Sequence, residues 1–414
     1  MTQSRQGWGS GPSARYEELA GQFRPIFERI RTAAVARDLE RRLPADEIGW
    51  LRQAGFPKLR LSAAQGGFDA TLPELYNLLI ELSAADSNVT NALRTHFGFT
   101  ERVLVSADAN WRSRWIGRVA AGETFGGAYT EAGDAKVDSF STRLIREGAG
   151  WRLSGEKYYT TGCLFADWLM TAVAAEDSDI KIVLVARRAP GVEVIDDWNG
   201  FGQALTASGT TRFRDVAIAP EAIVPNEPPL QYSAAFYQLV HIATLTGIAR
   251  AAADDAARLV AGRTRVYSNA NASRASADPQ ILQVIGRVRA LAYSAGAITL
   301  KAAEAIQRVC DVYGRSDPEA LASEATLADV EINQSVSVVT NLVLEATTIL
   351  FDALGASATA RDIGLDRYWR NARAITSHNP RIYRERSVGD WVVNGAKPPT
   401  EYRVGVRDAE PKTA

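Results

Sequence analysis

Three histidines, His96, His241 and His378, are the only imidazoles in 414 residues. Imidazole can donate a hydrogen bond at neutral pH and then carry a proton. His96 stands in Arg94-Thr95-His96-Phe97-Gly98-Phe99, after the third expected helix, and His378 closes the stretch DRYWRNARAITSHNP, Asp366–Pro380. No carboxylate follows Asp366 in that stretch, and Asn379 cannot take a proton, so a base of the carboxylate kind is missing beside His378. His241, in Leu239-Val240-His241-Ile242-Ala243, lies in an apolar helical run and reads as a core residue. With neither Cys nor carboxylate at ligand spacing, the three do not make a metal site.

The elements that must hold these residues come in three blocks. Leu19–Arg37, Pro44–Ala54 and Pro73–Ala85 carry apolar residues at three- and four-residue spacing and are expected as helices. From about Thr124 the period changes. Leu144-Ile145 and Trp151–Leu153 flank a hairpin signal at 147–150, Trp168–Ala175 and Ile180–Ala186 flank another at 176–179, and Thr210–Ala217 is a further strand. A small antiparallel β domain follows from these. Helical spacing returns after Pro229: Ile281, Val284, Ile285, Val288, Leu291, Ala295 and Ile298 form one stripe. Gly314 should end that helix, and Asp317-Pro318 should start the next as N-cap and first residue. The fold class is therefore α+β, divided as a flexible Gly/Ser/Gln-rich tail (1–15), an N-terminal helical domain (16–120), a β domain (121–228) and a C-terminal helical domain (229–414).

Charge narrows the function. With 47 basic and 48 acidic residues the formal net charge is −1, which offers no footprint for nucleic acid and no basic block for a membrane. Val336–Leu354 is interrupted by Thr340, Asn341, Glu345, Thr347, Thr348 and Asp352 and is not expected to span a bilayer. The tail lacks the apolar core of a signal peptide, and Cys163 and Cys310 do not form a disulfide framework. A cytoplasmic location is expected. Gly7-Trp8-Gly9-Ser10-Gly11 has no strand before it and no helix boundary after it, so no nicotinamide site is expected.

Several strings, in chain order, resemble the acyl-CoA dehydrogenase family over nearly the whole length. Tyr129-Thr130-Glu131-Ala132-Gly133 resembles its flavin-edge loop, with Asp134 where a serine is usual. Gly155-Glu156-Lys157-Tyr158-Tyr159-Thr160-Thr161 resembles the strand that lays an aromatic ring and a hydroxyl against the flavin. Phe201-Gly202 and Ser208 resemble the segment before the last strand. Gly247-Ile248-Ala249-Arg250 resembles the start of a helix whose Arg263 matches the arginine that binds flavin phosphate from a neighbouring subunit. Leu350–Ala356, LFDALGA, resembles the segment that completes a neighbour's flavin site.

The resemblance implies a helical domain, a central β-barrel and a helical bundle, with the flavin ring between the last two. It gives cofactor-binding places to Tyr129, Thr130, Tyr159, Thr161, Ser208, Arg263 and Arg370. These types suit a flavin, which needs a flat apolar slot, donors to its pyrimidine edge and a cation for its phosphate. In the family's dehydrogenases the residues after the arginine-rich turn deliver a glutamate that removes the substrate's α-proton. His378-Asn379-Pro380 stand there in this chain.

That replacement is similar to the flavin monooxygenase branch typified by dibenzothiophene monooxygenase and the sulfur-acquisition enzymes, as are THFGF, DWNGFGQALTASGTT and Val388–Gly395. By that resemblance His96, His378 and Thr161 are catalytic: donors that hold a flavin C4a-hydroperoxide and exclude water. The expected partners are O2, a small organic, sulfur-containing substrate and a separate NAD(P)H:flavin reductase supplying reduced FMN. The residues themselves leave FAD open. A homotetramer is implied. Two alternatives stand beside this: a flavin N-oxygenase acting on an amine such as an amino sugar, and an acyl-CoA dehydrogenase-like enzyme whose base is Glu385.

Overall fold

The computed structural model describes residues 3, 6–133, 139–148, 150–175, 180–313, 315 and 317–399. Asp134, Gly314, the 176–179 turn and parts of the expected tail and C-terminal segment lie outside the described residues.

The first block is helical: α1 (Tyr16–Thr32), α2 (Ala34–Glu40), α3 (Ala45–Gln53), α4 (Leu72–Ala85), α5 (Ser87–Ala92), α6 (Arg94–Val105) and α7 (Ala109–Ala120). The expected helix over Leu19–Arg37 is broken near Ala33 into α1 and α2. Its neighbour α4 begins on a reciprocal cap, in which Thr71 accepts from the Glu74 amide and Glu74 accepts from the Thr71 amide. Asp86 ends α4 and caps α5, so the chain turns there with its free amides satisfied.

The expected tail is docked instead. Trp8 is buried between the guanidinium groups of Arg289, 3.1 Å from its ring centre, and Arg250, 5.0 Å away. Ser13 and Arg15 both bond the buried Glu74. One large aromatic with two cations over it outweighs the Gly/Ser-rich composition around it.

The β block holds β1 (Phe125–Ala128), β2 (Arg143–Glu147), β3 (Gly150–Lys157), β4 (Trp168–Ala175), β5 (Ile180–Ala186), β6 (Val192–Val194) and β7 (Thr211–Ile218). The order is β1-β4-β2-β3-β7-β6, with β5 on the other edge of β4. Both expected hairpins form, with Glu147 opposite Gly150 and Ala174 opposite Ile180. The sheet differs from expectation in two ways. Both β1 and β2 run parallel to β4, and among the described residues β5 and β6 do not pair to close a barrel. Short β1 and β2 share one edge of β4, a pairing between distant segments that strand periodicity does not reveal. On the sheet packs α7, through Trp111, Trp115 and Val119; Trp115 meets Trp168 edge-on at 5.0 Å.

The last block is a bundle of α8 (Ser233–Gly262), α9 (Pro279–Tyr313), α10 (Pro318–Ile349), α11 (Asp366–Thr376) and α12 (Ile382–Asn394). Asp317 caps α10 by accepting from the Ala320 amide, as its sequence indicates. Part of α10 is apolar enough to cross a membrane by composition, but its buried Ala325, Ala328, Ile332, Val336, Val339 and Val343 belong to the core shared with α8 and α9. Gly247 does not begin a helix. It lies in the middle of α8, where a Cβ would stand 2.4 Å from the Ser83 side chain and 2.5 Å from the Ile80 carbonyl. Glycine is there because α4 and α8 touch backbone to backbone.

Candidate active site

The segment after β3 turns sharply. Tyr159 has φ 61°, and Gln203 and Ala207, in the facing loop, have φ 52° each. Non-glycine residues in this region cost on the order of 1 kcal/mol and persist only where the surroundings over-determine them. Here they do. The Gln203 amide donates to Asn371 Oδ1 (2.6 Å), its Oε1 accepts from Asn91 (3.1 Å) and its Nε2 donates to Ser87 Oγ (3.0 Å). The Gly162 amide donates to the Thr206 carbonyl at 2.9 Å, and a Cβ on Gly162 would collide with the Ala92 carbonyl.

This frame brings the expected hydroxyls together. Thr161 Oγ1 lies 2.8 Å from Ser208 Oγ, which lies 2.7 Å from Thr206 Oγ1. The Thr130 carbonyl accepts from the Tyr158 amide at 2.9 Å, which places the 129–133 loop alongside. Around the frame large aromatic faces stay open: Tyr129 is 43 % exposed, Tyr159 52 %, Phe201 58 % and Trp369 40 %. Tyr159 meets Trp198 edge-on at 5.8 Å, and Phe201 stacks on Trp369 at 6.0 Å. Such a concentration of exposed aromatic surface marks a place where a flat partner sits.

A second cluster adjoins the first through the start of α6. A Cβ on Gly127 would stand 2.6 Å from Thr95 Oγ1, and the Gly127 amide donates to the Thr161 carbonyl at 3.2 Å. One residue before Thr95, Arg94 places a guanidinium nitrogen 3.4 Å from His378 Nε2. His241 lies against His378, ring centres 4.5 Å apart. Burial first, and then the Arg94 charge, lowers the His378 pKa below the ordinary imidazole range, although one side of the residue remains open to solvent. Burial and then His378 do the same to His241. Both rings are neutral at pH 7. His241, expected as an ordinary core residue, is thus half of a histidine pair. Its partner is on another helix, and a lone histidine in an apolar run carries no trace of that.

Known proteins resemble this arrangement. Residues 239–380 match the family model "Acyl-CoA dehydrogenase, C-terminal domain". Dibenzothiophene monooxygenase of Mycolicibacterium goodii is 26% identical over 93% of this chain and 96% of its own length. The probable FMNH2-dependent monooxygenase SfnC of Pseudomonas putida is 26% identical over 92% and 94%. The crystal structure of FMN-bound TdsC from Paenibacillus sp. A11-2 superposes with a TM-score of 0.85, at 25% identity, over 93% of this chain and 99% of that one. The chain is a flavin monooxygenase on the acyl-CoA dehydrogenase fold.

The residues present fit a flavin. The Thr161–Ser208–Thr206 hydroxyls can share hydrogen bonds with a heterocycle's polar edge, and the open rings of Tyr129 and Tyr159 supply apolar faces. Two expected cofactor residues are placed differently from each other. Arg370 is fully engaged within the monooxygenase: it bonds Asp366 (2.8 Å), Asp38 (2.6 Å) and the Phe201 carbonyl (3.2 Å). With both carboxylates on it, Arg370 anchors the Phe201 loop to α11 and α2. Arg263, just past the end of α8, donates to the Leu354 carbonyl and faces Tyr267. The two strings expected to serve a neighbour's site, Arg263 and LFDALGA, therefore lie side by side.

His96 does not join the histidine pair. Its ring is fully buried, stacked on Phe125 at 5.9 Å, with Nε2–H donating to the Pro57 carbonyl at 2.8 Å. That bond leaves Nδ1 unprotonated, so the ring has no donor left to offer an oxygen. Burial pushes its pKa down to about 4. The unfolded chain binds a proton at pH 6.5 that the folded one refuses until about pH 4, so stability is full above pH 6.5 and falls as pH drops through that window. The loss should reach about 3 kcal/mol. His96→Gln, whose amide can still reach Pro57, should flatten this part of a melting-temperature profile taken from pH 7 to pH 4. An unchanged profile would show that His96 is not buried neutral.

Elsewhere, a cavity of about 820 Å³ lies between α7 and the sheet, lined by Trp111, Trp151 and Glu227. It shares no residue with the slot or the histidine pair.

Proposed function

We propose that the chain is the oxygenase component of a two-component system. It receives reduced FMN from a separate NAD(P)H:flavin reductase and uses O2 to oxygenate a small sulfur-containing organic molecule, as a cytoplasmic homotetramer. The observation that carries this reading is the neutral His241–His378 pair beside Arg94, with no carboxylate in contact with any of the three among the described residues. A dehydrogenase needs a base there, and Glu385, the alternative, is exposed on α12. The named relatives favour sulfur: dibenzothiophene is the substrate in the name of one.

Reduced flavin, when bound, supplies the two electrons that activate O2. The protein's own part is to orient and protect. Thr161 and Ser208 fix the polar edge, Tyr159 and Tyr129 cover the faces, and His378 holds a proton where oxygen is handled.

Tetramer formation is supported by the reach of α8. Arg263 follows α8, 22 positions after His241, about 33 Å along the helix, so Arg263 would serve a flavin in a neighbouring copy. Leu282, Tyr293, Val338, Ile382, Val392 and Val393 present apolar side chains on α9, α10 and α12 that neighbouring copies would cover.

The test combines the purified chain, FMN, NADH and a separate flavin reductase under labelled O2. Label should enter a sulfur compound only when reductase is present, and sedimentation of the same sample should give a tetramer. Steady NADH consumption by the chain alone would refute the two-component reading.

A further inference from the structure

Several arginines drawn into this fold are matched with acids, while the buried Arg384 bonds Asn333. Arg37 sits between Glu47 (2.8 Å) and Asp86 (2.7 Å), Arg60 against Glu101 (2.6 Å), and Arg367 against Asp255 (3.3 Å). Arg250 lacks an acid but faces the Trp8 ring. Arg94 is different. Among the described residues no carboxylate lies within ion-pairing distance of it, and its Nε is buried without a hydrogen-bond partner. Its neighbours are the Tyr237 ring, 5.3 Å away, and His378 Nε2, 3.4 Å away. Neither balances its charge, since the imidazole is neutral. His241 Nε2 is also buried without a partner. A desolvated cation with unpaired polar groups beside it is costly to keep unless something compensates it.

We propose that Arg94, with His378 and Tyr237, forms a recognition site for a compact oxyanion head group, so that the substrate is a small organic acid such as a sulfinate, sulfonate or carboxylate. This rests on the monooxygenase reading above and adds the charge of its substrate. Arg94 opens α6, and Thr95 beside it packs on Gly127, whose amide bonds the Thr161 carbonyl. The Arg94 site and the slot are thereby joined through adjacent residues of α6. The open side of His378 gives the entry. A guanidinium donates two parallel bonds to such a head group, and the Tyr237 phenol can add a donor from the side. The acids that neutralise Arg37, Arg60 and Arg367 have no counterpart at Arg94 because the ligand brings the charge.

The test is calorimetric titration of the full-length protein with methanesulfonate and, in parallel, with dimethyl sulfone, a neutral molecule of similar shape. Methanesulfonate should bind wild-type protein and dimethyl sulfone at least tenfold more weakly. Arg94→Met should weaken methanesulfonate on the order of 10²-fold, the size expected for losing charge-assisted hydrogen bonds. Arg94→Lys should recover part of that. Circular dichroism of both variants checks that α6 survives. Equal binding of the two probes by wild type, or unchanged methanesulfonate binding in Arg94→Met, would overturn the oxyanion site. The outcomes separate this from the wider reading. Reductase-dependent oxygenation of a neutral sulfur compound, with no methanesulfonate binding, would sink the oxyanion site alone. Arg94-dependent methanesulfonate binding, with no label incorporated into any sulfur compound, would sink the monooxygenase reading alone.

Discussion

Replacing His378 by alanine should convert the enzyme into a producer of hydrogen peroxide. Product formation should fall on the order of 10²-fold, the usual effect of deleting one donor from a site that stabilises developing charge. Consumption of reduced FMN should fall far less. The expectation comes from the ring's setting. Arg94 can only donate, so Nε2 accepts at that contact and the ring's proton is on Nδ1. With His241 packed at 4.5 Å and burial holding both rings neutral, His378 is a poised donor and not a cation. Because its pKa is lowered, oxygenation should not decline between pH 8 and pH 6.5 through protonation of this ring; a decline should set in only below the ordinary imidazole range. His241→Phe, which keeps the volume beneath His378, should reduce coupling to a smaller extent. Peroxide yield and product yield measured together check both variants. Wild-type coupling in His378→Ala would show that the residue merely follows the end of α11.

Glu131→Gln should destabilise the protein by about 3–5 kcal/mol, the typical cost of removing one partner from a buried ion pair. Lys157 and Glu131 are 2.8 Å apart with side chains almost wholly out of water. Burial works against the ionised carboxylate, but Lys157 and the amides of Ser141 and Thr142 outweigh it and hold Glu131 at about 2. Its contribution is complete above the unfolded carboxylate value of 4.5 and is lost as pH falls from there toward 2. Lys157 is also lowered, by burial and toward its neutral form, to about 8 despite its partner. In Glu131→Gln that lysine is left buried and unpaired. The unfolded state then binds the proton more readily at pH 7 to 10, so the variant should regain stability as pH rises. Thermal melts at pH 7 and pH 9.5 test the sign. Adding Lys157→Met to the variant should restore part of the loss at pH 7. The defect should also weaken FMN binding, since this pair ties the Tyr129–Thr130 loop to β3.

What the sequence disclosed was local. The Asp317-Pro318 start, the 143–157 hairpin and the β4–β5 pair each rest on neighbours in the chain, and the structure has them where spacing puts them. What it concealed was made by distant contacts. Gly247 looks like punctuation until α4 is seen against it, and Trp8 looks like part of a tail until Arg250 and Arg289 close over it. The site divides in the same way. Thr161 and Ser208 come from different strings and meet at 2.8 Å, a contact that neither string shows alone. Arg370 is bonded to Asp366 and Asp38, which its string does not reveal, and His96 has its one donor committed to Pro57. Arg94 was within view in the same string as His96. Its lack of an acidic residue within four positions was the available signal.

The left-handed conformations at Tyr159, Gln203 and Ala207 bear on the timing of catalysis. Gln203 is held by Asn371, Asn91 and Ser87, all supplied by the protein, so this loop takes its shape from the protein's own contacts. A flavin that must be collected afresh from a reductase at each turnover meets a slot that needs no folding around it. Its capture is then limited by encounter and its departure by contacts alone, which suits a cofactor that comes and goes like a substrate.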